Sequence, residues 1–274
     1  MHMHLIRLAK AGWQQLVRHA LLPLALLVVA TSVVSAEDLK PKFGPHAIPI
    51  AQSPDYLRTH PAPDYWALSP YYLPQMTNSA CSLATIATLV NALRGLPRHA
   101  HETLVTQATL LDAVARPQWA ERTVEGGAGV TFEEFRAYVG TSLAAFGLDW
   151  DMEVLRPADN SPATLERVRA LLSENERTDN DIVLVYFNQG VLTGDWDGPH
   201  TSPIAAYDAE RRRVLVMDVD RQWYVPYWTS DEKLLEAMLR PAPPEHGVLA
   251  GETGGLIRVT KRREDQPLSA IDRR

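Results

Sequence analysis

Apolar residues along the chain follow helical spacing in its first half and strand spacing in its second. From Cys81 to Arg94 they recur at intervals of three and four, which predicts a buried helix that ends at Gly95. Weaker helical patterns follow at Glu102 to Val114, Thr131 to Phe146 and Ser161 to Asn175. Thr131 with Glu134 three residues later is typical of a capping box at a helix start.

The second half is typical of an antiparallel sheet. Asp181 to Phe187 is a short, apolar, β-branched run that predicts a central strand. Two further predicted strands, Ser202 to Tyr207 and Arg213 to Val219, are separated by a polar turn, which predicts a hairpin. A short helix from Leu234 to Leu239 and a last strand from Gly255 to Val259 follow. Helices followed by an antiparallel sheet, without βαβ units, predict an α+β fold.

The N-terminal segment has the three parts of a secretory signal. It carries three basic residues and no acid, then an apolar run from Ala20 to Val34, then small residues that end at Ala36. The apolar run is shorter than the roughly 20 residues that a membrane-spanning helix needs. We therefore expect cleavage after Ala36 and export to the periplasm, with an uncleaved N-terminal anchor as the alternative.

Composition divides the rest of the chain into three parts. Residues 37–67 are rich in proline and aromatic residues, which predicts an extended arm laid over the core by its rings. Residues 68–260 contain the helix and strand patterns and form the predicted main domain. Residues 261–274 are charged, and we expect a flexible tail there.

Charge and cysteine content narrow the classes of partner. The chain has 27 Lys and Arg against 33 Asp and Glu, a net charge of -6 that becomes -9 without the signal. This balance argues against nucleic-acid binding, and no stable membrane association is expected after cleavage. One cysteine cannot form an intramolecular disulfide or a multi-thiolate zinc site. The oligomeric state is left open, a homodimer included.

Cys81 is a candidate nucleophile because it falls in the first turn of a predicted helix. Asn78 or Ser79 is expected to cap that helix, whose N-terminus favours a thiolate. The N–H groups of the first turn and the side-chain amide of Gln75 could stabilise an oxyanion there. The alternative is that Cys81 is a small apolar residue on a buried helix face.

A cysteine nucleophile needs a base, and His200 is the best placed histidine outside the signal because its segment leads directly into a predicted core strand. Asp218 lies in the apolar run of the neighbouring strand, where an unpaired carboxylate is costly. We expect Asp218 to accept the Nδ1–H of His200 and to leave Nε2 for the thiol. A carboxylate that caps the strand end is the alternative. The remaining histidines lie in loops or in the arm: His46, His60, His99, His101 and His246.

Several blocks stand out over roughly residues 68–259: Gln75 with Cys81 six residues later, Asn91 to Gly95, His200 to Tyr207, Met217 to Arg221 and Tyr224 to Trp228. Together they resemble the phytochelatin synthase family. Two features depart from the family pattern. Ser82 follows the cysteine where the family usually has glycine, and the Cys-rich C-terminal domain of plant members is not found in this sequence.

The resemblance implies a papain-like fold in which Cys81, His200 and Asp218 are catalytic and Gln75 is an oxyanion donor. It implies a thiol acyltransferase that cleaves the Cys–Gly bond of glutathione through a γ-Glu-Cys acyl-enzyme. Hydrolysis of that intermediate is expected to dominate over transpeptidation to phytochelatins. Arg221 matches a family arginine near the substrate pocket and is expected to hold a glutathione carboxylate, with a structural ion pair to Asp220 as the alternative.

The expected partner is therefore glutathione or its thiolate complex with a metal ion. No cofactor is expected to be required, and Cd²⁺ or Zn²⁺ would enter bound to glutathione thiolates, in a role in metal detoxification. Two other functions stay open. One is a different exported papain-like peptidase, active on peptides and not on glutathione; the other is a non-enzymatic exported binding protein with Cys81 in its core.

Overall fold

The computed structural model describes residues 42–262, so the predicted signal, the first residues of the arm and nearly all of the predicted tail lie outside the described residues. The helices of the described part are α1 (Asp55–Thr59), α2 (Pro63–Leu68), α3 (Cys81–Arg94), α4 (Gln107–Val114), α5 (Pro117–Arg122), α6 (Phe132–Ala145), α7 (Pro162–Asn175), α8 (Gln189–Thr193) and α9 (Asp231–Leu239). The strands are β1 (Ile48–Pro49), β2 (Trp150–Leu155), β3 (Asp181–Asn188), β4 (Pro199–Asp208), β5 (Arg213–Val216), β6 (Tyr227–Ser230) and β7 (Gly255–Lys261).

The strands of the described part join in one antiparallel sheet with the order β1-β6-β5-β4-β3-β7-β2. The predicted hairpin is present, since β4 and β5 pair from Asp208 opposite Arg213. The predicted α+β class is therefore confirmed, with α3 packed against β4 in the middle of the sheet.

Strand β3 shows why the sheet is covered on both faces. All of its residues are buried, as predicted for a central strand, and its side chains alternate between two hydrophobic clusters. Ile182, Leu184 and Tyr186 join one cluster with α3, α4 and α6. Alternate residues of β3 join the other cluster with α7 and α9. A strand covered on both faces loses the alternation of polar and apolar residues.

Two predicted helix boundaries follow from local sequence. Helix α3 spans the predicted residues, and Gly95 ends it with φ 71°, a backbone conformation that favours glycine. In α6 the hydroxyl of Thr131 accepts from the N–H of Glu134, whose side chain accepts from the N–H of Thr131, which confirms the capping box. Helix α4, in contrast, begins at Gln107 and not near Glu102, because Thr106 caps it.

The observed strands differ from the predicted ones in their bounds and in their number. Strand β4 begins at Pro199, before the predicted start, and β5 ends at Val216, so that Asp218 lies beyond the strand and not within it. A register shift between Ile204 and Ala206 accompanies this early end. The edge strand β2 and the short strand β6 were not predicted. Half-exposed β2 is a short edge strand in which Trp150, Met152 and Val154 alternate with Asp151 and Glu153, a pattern that sequence reasoning missed.

The arm is only partly extended, and in this respect the prediction was wrong. Pro63 occupies the first position of α2, where proline favours a helix start, and α1 precedes it. Tyr56 contacts Trp228 edge to face at 5.5 Å and donates a hydrogen bond to the carbonyl of Tyr207. Aromatic contacts thus hold this segment on the sheet. No helix between residues 42 and 262 combines the length and apolar character that a membrane span requires.

Candidate active site

Cys81 is the first residue of α3 and is partly exposed in the wall of a cavity of about 550 Å³. The residue before it, Ala80, caps the helix without a side-chain hydrogen bond, so the expected cap by Asn78 or Ser79 is wrong. Both side chains instead bind the glycine-rich loop on the cavity wall. Asn78 Oδ1 accepts from the N–H of Gly126, and Ser79 donates to the carbonyl of Gly127.

Without a side-chain cap, the first N–H groups of α3 remain available at the thiol. An α-helix leaves its first N–H groups without partners inside the helix, and these groups favour negative charge. The predicted position of Cys81 at a helix N-terminus is therefore present, and its side chain is not in the core.

His200 is the second residue of β4 and is almost fully buried. Its neighbour Thr201 is joined to α3, because Thr85 Oγ1 donates to the carbonyl of Thr201 over 3.0 Å. The Cys81 thiol interacts with His200 and with the side chain and backbone of Thr201. Helix and strand thus bring the predicted nucleophile and base together.

Asp218 is fully buried and lies 2.9 Å from His200, measured from Oδ1 to Nε2. The predicted pair is therefore present, but the ring is turned the other way. Nε2, and not Nδ1, faces the carboxylate, so Nδ1 is the nitrogen left for the thiol. Because Asp218 lies past the end of β5, it approaches the ring from the side opposite Cys81.

Three more groups hold the Asp218 carboxylate. Gln189 Nε2 donates to Oδ2 over 2.8 Å, Tyr227 Oη donates to the same oxygen over 3.1 Å, and the N–H of Asp220 donates to Oδ1. These donors satisfy the buried carboxylate in the absence of water. Gln189 was missed by sequence reasoning. Its only signal is a polar pair, Asn188 and Gln189, directly after a buried strand that pairs with the His200 strand.

The charges of the site stabilise a thiolate and an imidazolium. Burial alone would raise the pKa of Cys81, but hydrogen bonds and charge from His200 and Thr201 bring it below its usual value. Burial alone would lower the pKa of His200, but the Asp218 and Cys81 anions hold it well above its usual value. Burial opposes the charge on Asp218, yet the His200 cation and the surrounding donors keep its pKa low.

Gln75 is anchored beside this group. Its N–H donates to the carbonyl of Val219 over 2.8 Å, and Tyr72 Oη donates to the carbonyl of Asp218. The side chain lines the cavity, and its Oε1 is buried without a hydrogen-bond partner. Its amide nitrogen, which has no protein acceptor in the described structure, reaches the cavity. The geometry thus leaves Gln75 as a free donor near Cys81, as the predicted role requires.

Arg221 lies apart from the cavity wall. Its side chain is exposed, with the guanidinium 4.8 Å from the centre of the Tyr72 ring. Among the residues that the structure describes, Arg221 forms no ion pair with Asp220. The alternative role of Arg221, a structural ion pair, therefore lacks support as well. Substrate binding by Arg221 stays a prediction.

The rest of the cavity is formed by aromatic rings, a glycine-rich loop and a few charges. Its other lining residues include Lys42, Gly126, Gly127, Gly129, Tyr186, Asp195, Trp196, Asp220, Trp223, Tyr224 and His246. Between residues 42 and 262 no group of three or more His, Cys, Asp or Glu side chains is arranged to hold a metal ion.

A thiol at a helix N-terminus, a histidine on the sheet and a buried aspartate on that histidine form the arrangement of papain-like proteins with a cysteine nucleophile. Within this class, the chain belongs to the phytochelatin synthase family, whose model matches residues 55–243. The match begins inside the arm and contains all of the predicted site residues.

Two curated plant relatives are named for a glutathione gamma-glutamylcysteinyltransferase activity. The chain is 25% identical over 182 residues to glutathione gamma-glutamylcysteinyltransferase 1 of Arabidopsis thaliana, and 26% identical over 184 residues to glutathione gamma-glutamylcysteinyltransferase 3 of Lotus japonicus. The matches cover 64% of this chain and 33% and 34% of the relatives, so the chain spans about a third of their length.

Among solved structures, the Pseudomonas avirulence protein AvrPphB matches with a TM-score of 0.31 and 9% sequence identity. That match covers 70% of this chain and 99% of AvrPphB.

Proposed function

We propose that this protein is a glutathione-processing thiol acyltransferase that acts mainly as a deglycinating hydrolase. The observation that carries the proposal is the contact of Cys81 with His200 at the wall of one cavity, and of His200 with the buried Asp218, in a chain of the phytochelatin synthase family. The activity for which the two plant relatives are named supports glutathione as the substrate.

In the first half of the reaction, the Cys81 thiolate attacks the carbonyl carbon of the Cys–Gly bond of γ-Glu-Cys-Gly. The Cys81 N–H and the Gln75 amide stabilise the oxyanion of the tetrahedral intermediate. His200 gives its Nδ1 proton to the glycine nitrogen, the C–N bond breaks, and glycine leaves. A γ-Glu-Cys thioester remains on Cys81.

In the second half, neutral His200 accepts a proton from the attacking group. Water gives γ-glutamylcysteine and the free thiolate; the amine of a second glutathione gives a phytochelatin. We propose that water is the main acceptor, because among the described residues that line the cavity Cys81 is the one thiol, and no second thiolate lies there to hold a metal-bridged acceptor. Cd²⁺ or Zn²⁺ then enters only as part of a glutathione thiolate substrate.

Mass-spectrometric measurement of glycine release from glutathione tests the proposal. We expect release by the wild-type protein and none by Cys81→Ala, with γ-glutamylcysteine as the second product. No release by the wild type at millimolar glutathione would contradict the function, and cleavage of other peptides alone would indicate a different papain-like peptidase. Binding without turnover would indicate a binding protein.

A second measurement separates the two acceptors. With Cd²⁺ or Zn²⁺ added, we expect γ-glutamylcysteine to remain the main product. Oligomeric γ-Glu-Cys products in excess over γ-glutamylcysteine would identify a synthase instead of a hydrolase.

A further inference from the structure

Three charged side chains that the proposed chemistry does not use line the cavity: Asp195, which pairs with Lys42, Lys42 itself and Asp220. Asp220 lies two residues after the base-orienting Asp218, and Lys42 comes from the segment before α1, ahead of the family match. Both line the same cavity as Cys81. Their positions and hydrogen-bonding states point to a role in binding.

Asp220 has an unused carboxylate. Its backbone is fully engaged: its N–H donates to Asp218, and its carbonyl accepts from the N–H groups of Trp223 and Tyr224 at 3.0 Å and 2.9 Å. No described residue donates a hydrogen bond to its side chain, which is half-buried at the cavity wall. Burial raises the pKa of Asp220, and although His200 and Lys42 oppose the rise, Asp218 and Asp195 add to it.

Lys42 lies over the same turn of chain. Its ammonium is 4.1 Å from the centre of the Trp223 ring and 5.0 Å from that of Tyr224, and it pairs with Asp195. The two rings follow Asp220 in the turn that the Asp220 carbonyl closes. Aromatic contacts and the ion pair fix the position of the Lys42 side chain, which stays 38% exposed at the cavity.

We propose that Asp220 and Lys42 bind the α-amino-acid end of the substrate, Asp220 its ammonium and Lys42 its carboxylate. The inference rests on the proposed function, because glutathione presents these two charges on one carbon at its γ-glutamyl end. A positioned cation from one segment and, on the turn beneath it, a carboxylate without a hydrogen-bond donor among the described residues match that pair of charges, whereas a peptide bond offers neither. The γ-linkage would thus be selected by charges at the far end of the substrate.

Binding to a Cys81→Ala background tests this inference without turnover. Calorimetry would compare glutathione with glutaryl-Cys-Gly, which lacks the ammonium, and with 4-aminobutanoyl-Cys-Gly, which lacks the carboxylate. We expect each analogue to bind about tenfold more weakly or worse, since a charged partner is lost in each case. Asp220→Asn should abolish the preference over the glutaryl compound only, and Lys42→Met the preference over the aminobutanoyl compound only.

The chain offers matched control substitutions for this binding experiment. Glu232→Gln and Lys233→Met change the same charges on exposed α9 and should leave both preferences unchanged, while Lys42→Arg should retain most of the carboxylate preference. Equal weakening of all three ligands by Asp220→Asn or Lys42→Met would overturn the inference and leave the function standing. Failure of Cys81→Ala to bind glutathione at all would overturn the proposed function, and the inference with it.

Discussion

Thr85 Oγ1 donates a hydrogen bond to the carbonyl of Thr201 over 3.0 Å, in a part of the structure where both side chains are buried. Thr85 lies one helical turn beyond Cys81, and Thr201 directly follows His200. This bond therefore joins the backbone segments that carry the nucleophile and the base, and it fixes their separation more directly than the surrounding apolar contacts do.

Replacing Thr85 by valine removes this bond at nearly constant volume. We expect a loss of about 1–3 kcal/mol in the free energy of unfolding, because a buried carbonyl loses a donor, and a fall in kcat/KM of roughly tenfold. Urea unfolding and glycine release measure the two effects. Thr141→Val, which removes a hydroxyl on the exposed face of α6, is the control. Unchanged kinetics in Thr85→Val would show that packing alone positions the pair.

The pH dependence of the reaction follows from the pair formed by the Cys81 thiolate and the His200 imidazolium. The pKa of Cys81 is lowered and that of His200 is raised, so the reactive form, a thiolate beside an imidazolium, is present at pH values between the two pKa values. It is lost at low pH because the thiolate gains a proton, and at high pH because the imidazolium loses one. In Asp218→Asn the pKa of His200 falls, so the alkaline limit moves to lower pH and the active range narrows. The rate of iodoacetamide alkylation against pH measures the acid limit, and the pH profile of kcat/KM for glycine release, which needs the imidazolium proton, measures the alkaline limit.

A control for this experiment is Glu121→Gln, which removes one exposed negative charge on α5. Its two pH profiles should match those of the wild type. An alkaline limit that does not move in Asp218→Asn would mean that Asp218 orients the imidazole without stabilising its charge.

Much of this site could be predicted from local sequence. The apolar spacing before Gly95 set the bounds of α3 and placed Cys81 at its start, and the short apolar runs identified the strands around His200. These signals are local, since a helix face or a buried strand leaves its period in the chain. Asp218 was detectable for a related reason, because a carboxylate in an apolar run requires a partner.

The remaining features depend on contacts between distant segments. Asn78 and Ser79 have the chemistry of caps, but a glycine loop almost 50 residues away takes their hydrogen bonds. The orientation of the His200 ring depends on the side from which Asp218 approaches, and that side depends on where β5 ends. Gln189 has no local signal that distinguishes it from an ordinary polar residue after a strand.

Asp64 provides a test of stability away from the active site. The residue is 1% exposed, and neither carboxylate oxygen meets a donor at good hydrogen-bond geometry, so burial raises its pKa well above the usual range although the nearby Asn175 side chain opposes the rise. A raised pKa means that the folded state favours the proton, and stability is lost as pH rises above the pKa of the unfolded chain. Asp64→Asn should remove this penalty and raise the free energy of unfolding at pH 7 by about 1–3 kcal/mol.

Urea unfolding at pH 7 and at pH 4 checks both parts of this statement. The gain should shrink at the lower pH, where Asp64 is protonated in the folded protein and already about half protonated in the unfolded chain, so that little of the penalty remains. Asp112→Asn on the exposed face of α4 removes the same charge and should change stability by less than about 0.5 kcal/mol. A destabilised Asp64→Asn protein at pH 7 would contradict the assignment of Asp64 as an unsatisfied acid.

Oxidised glutathione should inactivate the protein. Cys81 is partly exposed in the cavity with a lowered pKa, and such thiolates form mixed disulfides readily. We expect a mass increase of one glutathionyl group and full recovery of glycine release with dithiothreitol. Cys81→Ala should show no mass increase. Unchanged activity in excess oxidised glutathione would argue against a reactive thiolate.

The bonds from Tyr72 to the Asp218 carbonyl and from Gln75 to the Val219 carbonyl have a consequence for how this protein can vary. The oxyanion donor and the acid that orients the base thus lie on two backbone segments, residues 72–75 and 218–219, that two hydrogen bonds join. Mutations that displace either segment will damage both steps of catalysis at once, so the two cannot be tuned separately through the main chain. Adaptation to new acyl groups must come from another part of the cavity wall, such as the glycine-rich loop, which is held to the nucleophile segment by the side chains of Asn78, Ser79 and Glu125.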